Sequence, residues 1–341
     1  MALRKAPAPE LGAPVPPAVR LVPGPLQAAR ELLTIRDCLR YACTRFEAAG
    51  VAYGQGTDNA WDEAVWLLLW CLHLPPDRLD PFLDARLTSR ERRLVLELID
   101  RRCRERVPSA YLTGEAWLRG LRFRADPRAL VPRSLIAEAL EESLNDWLPD
   151  EGPAAVLDLC TGGGSIAVFA AHRFPRAKVD AADLSAEALA LAAENVALHG
   201  LGDRVSLLQG DLFAAVAGRR YDLVLCNPPY VNADSMAALP PEFLAEPGKA
   251  LAGGLDGMDL IRRVVQAAPA HLAPGGLLLI EIGHEARHFE AAFPTLEFAW
   301  LPVTAGEDQL VLLAREQIER AGLAAPDSGA APAGRGRRAP R

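Results

Sequence analysis

The chain has 341 residues, 50% of them hydrophobic, which is enough for two domains with at least one substantial core; no apolar run is long enough to span a bilayer. A formal net charge of -7 argues against a protein that grips nucleic acid over its whole surface, and favours a small molecule or a basic protein as the partner. The six cysteines (Cys38, Cys43, Cys71, Cys103, Cys160 and Cys226) form no C-x-x-C pair and fall mostly in apolar periodic segments, which predicts reduced core thiols and no metal site.

In chain order, residues 1–25 are rich in Pro and Ala and read as a disordered leader. Proline interrupts this stretch before the apolar core of a signal peptide can form, so a cytoplasmic location is expected. Residues 26–110 read as a helical domain. Leu32, Ile35, Leu39, Ala42 and Phe46 recur at helical spacing before a cap at Gly50. The segment "WDEAVWLLLWCLHL" is apolar on nearly all sides, which predicts a buried helix stopped by Pro75 and Pro76. The next helix opens with Thr88 and Glu91 at capping-box spacing and carries Leu94, Leu98 and Ile99 as its apolar face. Arginines 86, 90, 92, 93, 101, 102, 104 and 106 outnumber the acids around it, giving either a solvated face or a docking surface.

Residues 111–133 alternate around Gly120, as a hairpin linker would. From 134 to 316 apolar strands alternate with amphipathic helices. This pattern predicts an α/β domain with a doubly wound, mostly parallel sheet. The last two strands, "EFAWLPV" and "DQLVLLA", have no helix between them and should form an antiparallel hairpin at one edge. Residues 317–341 read as a disordered tail.

The candidate cofactor end begins with "VLDLCTGGGSIAV", where Cys160, Thr161, Gly162, Gly163 and Gly164 join a strand to a helix. Glycines at that edge let backbone approach a ligand closely. Asp183 closes the second strand about 20 residues on, where a carboxylate can accept hydrogen bonds from ribose hydroxyls. Asp211 closes the third strand beside the apolar Leu212 and Phe213, where an adenine can lie. Asp158 either holds the glycine loop or meets an amino group of the ligand. NAD and S-adenosylmethionine both contain adenosine. Cys160 stands where the dinucleotide fingerprint needs its first glycine, and the antiparallel final hairpin also points to S-adenosylmethionine.

The chemistry end is "LVLCNPPYV", in which Asn227, Pro228, Pro229 and Tyr230 follow a buried strand. Asn227 and Pro228 each precede a proline and are pushed toward extended geometry, while each proline removes an N–H. The Asn227 side-chain oxygen and the Pro228 carbonyl can then accept both hydrogens of one NH₂ group. Tyr230 offers a flat face to a planar substrate. Asn227 sits at the same strand edge as the cofactor residues and is expected to border the cofactor too.

With "NPPY", the runs "EPGKALAGGLDGMDLIRRVV" and "ALVPRSLI" resemble the HemK-like protein N(5)-glutamine methyltransferases, over about residues 30 to 315. The resemblance implies a class I S-adenosylmethionine-dependent methyltransferase fold, a seven-stranded sheet preceded by a small helical domain that positions the protein substrate. Within that family, "YGQGTDNAWDEAVWLLL", "ARLTS" and "DLCTG" are similar to the branch acting on a glutamine of large-subunit ribosomal protein L-three. Release-factor enzymes usually have Pro and Glu where Ser134 and Leu135 stand; Leu135 and Gly163 also depart from the family's more usual proline and serine. Methylation of release factors, or of the amino group of a nucleic-acid base, remains the alternative; a net acidic chain is a poor phosphate binder, so no stable nucleic-acid partner and no membrane are expected.

Overall fold

The computed structural model describes residues 25–323. The leader read over 1–25 therefore lies, apart from Pro25, outside the described residues, as does the tail beyond residue 323. Two compact units meet in sequence at Thr113 and Gly114. Among the described residues no helix is long and apolar enough to cross a membrane.

The first unit comprises α1 (Pro25–Glu31), α2 (Ile35–Ala49), α3 (Ala60–Cys71), α4 (Ser89–Glu105) and α5 (Ser109–Thr113). Capping boxes at Thr34 and Asp37 and at Thr88 and Glu91 satisfy orphan N–H groups, and Gly50 closes α2 at φ 60°. Leu39, Phe46, Leu67, Leu68, Leu96 and Ile99 meet in its core. Two details depart from the sequence reading. The buried stripe of α4 centres on Val95, Ile99 and Cys103, so Leu94, about a third of a turn away, is 47% exposed. And α3 is not buried all round, because Trp61 faces solvent. Arg102 is likewise no part of a solvated face: it is fully buried and pairs with Glu63 of α3.

The second unit opens with a hairpin, β1 (Glu115–Leu118) and β2 (Leu121–Arg124), turning at Arg119 and Gly120. Leu118 and Phe123 belong to the core of this unit, so the hairpin is part of it and not a linker. There follow α6 (Ile136–Glu141), β3 (Ala155–Leu159), α7 (Ser165–Arg173), β4 (Lys178–Asp183), α8 (Ala186–Leu198), β5 (Val205–Gln209) and β6 (Tyr221–Cys226). The short helices α9 (Ala233–Ala237) and α10 (Pro241–Leu244) precede α11 (Asp259–His271), β7 (Leu272–Glu281), α12 (Ala286–Ala292), β8 (Ala299–Trp300), β9 (Leu310–Ala314) and α13 (Arg315–Arg320).

The seven-stranded sheet runs β5-β4-β3-β6-β7-β9-β8, parallel from β5 to β7 and antiparallel at β9 and β8. Its two faces carry separate apolar layers. Leu223, Leu225, Leu277 and Leu279 pack with α6 and α7, whereas Val224, Leu278 and Ile280 pack with α11, α12 and α13. This alternation follows from the two-residue period of a strand buried on both sides. Ile318 of α13 is fully buried in the second layer, so the fold extends past residue 317, where the tail was expected to begin. From β3 the chain winds outward to β5 and then returns to β6. The switch point thus lies between the ends of β3 and β6, where such sheets bind ligands.

Candidate active site

A cavity of about 680 Å³ opens at that switch point, lined among the described residues only by those of the second unit. One end is the turn after β3. Cys160 and Gly162 take positive φ, and the backbone N–H of Gly162 donates to Asp183 Oδ2 at 2.8 Å. The other Asp183 oxygen accepts from Ser185 N–H at 2.8 Å, so the carboxylate is fixed at the cavity wall. Cys160, Thr161, Gly162, Gly163, Asp183, Asp211 and Leu212 all line the cavity.

Three sequence-predicted residues do not. Asp158 is fully buried beneath the turn, where it accepts from Thr161 O–H at 2.5 Å and Ala167 N–H at 2.9 Å. Of its two expected roles it has the first, holding the glycine loop. Burial pushes its carboxyl up to about 7, against those hydrogen bonds, and its Oδ1 has no partner among the described residues. Gly164 caps α7 and packs on α8, where an added Cβ would come within 3.0 Å of Ala192. Phe213 stacks on His271 at 4.6 Å between ring centroids and belongs to the core. Asp211 lines the cavity too, and its Oδ2 accepts from Arg263 at 2.6 Å.

At the other end stand Asn227, Pro228, Pro229 and Tyr230, all lining the cavity. Among the described residues, neither the Asn227 side chain nor the Pro228 carbonyl has a hydrogen-bond partner. Arg133 donates twice to the buried Glu246, at 2.6 and 2.9 Å, and Glu246 also accepts from Val131 N–H at 3.0 Å. This ties the "VPRS" stretch to the "EPGKAL" stretch and builds one wall. Glu281, ending β7, is buried at the cavity, and burial raises its carboxyl above the usual range.

Sequence reasoning missed Glu281, Glu246, Leu184 and Asn195 as site residues. Glu281 did carry a signal, since a carboxylate closing a continuous apolar strand at the ligand edge is costly unless used. Leu184 stays 65% exposed at the cavity, an apolar face beside Asp183. Asn195 is fully buried and donates to the carbonyls of Gly163 and Arg124, at 2.9 and 3.2 Å, bracing the glycine turn. Nothing in its helical surroundings distinguished it.

The cavity fits an adenosine-bearing methyl donor. Asp183 is a fixed carboxylate, Leu184 and Leu212 are apolar flanks, and Gly162 and Gly163 keep the turn free of side chains. Among the described residues, no group of three His, Cys, Asp or Glu is placed to hold a metal ion.

A seven-stranded sheet with this strand order, and a ligand cavity spanning a glycine turn and Asn-Pro-Pro-Tyr, define a class I methyltransferase. The family model described as "Methyltransferase small domain" matches residues 139–257. A ribosomal protein uL3 glutamine methyltransferase of Bordetella pertussis is 59% identical over 292 residues, 85% of this chain and 97% of that one. One of Burkholderia pseudomallei is 50% identical, covering 84% and 95% of the two chains. The chain belongs to the ribosomal protein uL3 glutamine methyltransferase family. A solved methyltransferase from Pyrococcus furiosus overlays 58% of this chain and 90% of its own, with a TM-score of 0.43 and 20% identity.

Proposed function

We propose that this protein transfers a methyl group from S-adenosylmethionine to the side-chain amide nitrogen, N(5), of a glutamine in ribosomal protein uL3, acting in the cytoplasm. The observation that carries the reading is the pair of unpartnered acceptors, Asn227 and Pro228, at the edge of a cavity that fits the donor. The names of the relatives supply the substrate.

S-adenosylmethionine, when bound, supplies an electrophilic methyl on a sulfonium sulfur. Asp183 would hold the ribose, Leu184 and Leu212 the adenine, and Gly162 and Gly163 the backbone approach. An amide nitrogen is a weak nucleophile because its lone pair is delocalised. Asn227 Oδ1 and the Pro228 carbonyl each accept one N–H of the NH₂ group and fix its plane, while Tyr230 packs against it. Orientation of this kind supplies up to about 7 to 11 kcal/mol of barrier reduction. The acidified nitrogen then releases its proton along one of these hydrogen bonds to solvent, so no strong base is needed.

The test is Asn227→Ala. Removing one of the two acceptors frees the amide to rotate, so single-turnover methylation of uL3 should slow at least about a hundredfold, each tenfold being about 1.4 kcal/mol. Cofactor affinity, measured separately, should change far less. Near-normal turnover by folded mutant would mean that something other than Asn227 orients the amide.

A further inference from the structure

Tyr230 is held more tightly than a residue that merely ends a strand. Its phenol O–H donates to Glu281 Oε1 at 3.3 Å. The other Glu281 oxygen accepts from Ser134 O–H at 2.6 Å and Leu135 N–H at 3.0 Å, which fixes the carboxylate plane. A Cβ added at Gly283 would come within 2.6 Å of the Tyr230 ring. One at Gly257 would clash with the Tyr230 carbonyl, and one at Gly253 would come within 2.7 Å of its Cα. The backbone on the far side is locked as well, since Val231 N–H donates to Leu251 and Gly253 N–H donates to Val231, both at 2.9 Å.

Strand register brings this assembly beside the reacting amide's acceptors. Cys226 of β6 pairs with Ile280 of β7 in parallel register. Asn227, one residue past β6, and Glu281, the last residue of β7, therefore lie side by side at the same sheet edge, with Glu281 on the face of Leu279. A carboxylate taken out of water is costly, and an apolar residue would tie β7 to the preceding segment at lower cost. A carboxyl group there has a use if the phenol must be fixed, because one oxygen accepts from Tyr230 while Ser134 and Leu135 hold the other in place.

We propose that Glu281 is a positioning residue for methyl transfer: oriented by Ser134, it fixes the Tyr230 phenol and, with Gly283 against the ring, sets the plane on which the target amide packs. The proposal rests on the glutamine-methylation reading above. It assigns a task to Ser134 as well, since a proline at that position has no hydroxyl to donate.

The experiment combines kinetics with a direct view of the ring. Glu281→Gln should lower kcat at least about tenfold, with KM for uL3 and cofactor affinity within about threefold, because ground-state contacts remain while alignment is lost. Tyr230→Phe should lower kcat similarly. The double variant should be no slower than the worse single variant, since both act through one contact. With 3-fluorotyrosine incorporated at the five tyrosines and Tyr230 assigned by its loss in Tyr230→Phe, Glu281→Gln should shift or broaden the Tyr230 fluorine resonance. That arm needs no acceptor protein, so its failure is separable from an error in the substrate. Unchanged kcat in Glu281→Gln, multiplicative losses in the double variant, or an unmoved Tyr230 resonance would each overturn the proposal. If Glu281 variants do not fold, Ser134→Ala and Gly283→Ala leave the carboxylate in place and test the same chain. Both should lower kcat and move the Tyr230 resonance; normal kcat or an unmoved resonance in either folded variant rejects it.

Discussion

Asp183 and Asp158 close adjacent strands and would be indistinguishable as letters, yet they do opposite things. Asp183 has each oxygen half-satisfied by a backbone N–H and faces the cavity, leaving lone pairs for two ribose hydroxyls. Asp183→Ala should remove charge-assisted bonds worth roughly 1.5 to 3 kcal/mol each and weaken S-adenosylmethionine binding tenfold or more. Calorimetry showing unchanged affinity would remove Asp183 from the site. Asp158 instead supports the turn from below, and its carboxyl titrates near 7 because burial disfavours its charge. Its unfolded value is about 4, so between about pH 4 and pH 7 the folded state holds a proton that the unfolded state has lost. The stability it contributes is therefore fully present below about pH 4 and is lost as pH rises to about 7. Asp158→Asn keeps an acceptor for Thr161 and Ala167 but cannot titrate. Relative to wild type it should gain stability as pH rises over that range, by up to about 4 kcal/mol, in urea titrations at a series of pH values. A difference that does not vary with pH would mean that Asp158 is ionised at the ordinary value.

The elements were legible where local chemistry decides them. Capping boxes at α2 and α4, the Gly50 cap, the Gly120 hairpin and the alternation of strands with helices all follow from side chains acting on their own backbone. Where burial depends on a distant partner, periodicity was a poorer guide. Arg102 belongs by composition to an arginine-rich helix face, but its partner Glu63 lies 39 residues earlier, on α3. Removing one member of a buried pair leaves the other uncompensated, so Arg102→Leu should cost about 3 to 5 kcal/mol. Joining it to Glu63→Leu should recover part of that loss, as equilibrium denaturation would read. If the two single losses simply added, the pair would not be the reason that these charges are tolerated inside.

At the scale of the whole molecule, the described residues that line the cavity all belong to the second unit, while the first carries its own core. A fragment of residues 114–341 should bind cofactor with nearly full affinity yet lose most methylation of uL3, because the helical unit is expected to position the protein substrate. Full activity in the fragment would assign substrate recognition to the second unit. The 341-residue chain should methylate uL3 in preference to a release factor in a side-by-side assay, and the reverse preference would overturn the substrate and leave the chemistry standing. A net charge of -7 suits a basic ribosomal partner, whose encounter it would steer. The sequence by itself determined the doubly wound sheet, its antiparallel edge, the glycine turn and the Asn-Pro-Pro-Tyr segment after β6, because each is written in a contiguous stretch whose period or missing N–H has a local consequence. Only the tertiary structure decided which carboxylates reach the cavity. It buried Asp158, paired Arg133 with Glu246 across 113 residues, and set Glu281 under Tyr230, 51 residues away. Those outcomes depend on strand register and on which face of a strand each side chain takes, and both are set by packing between segments far apart in the chain.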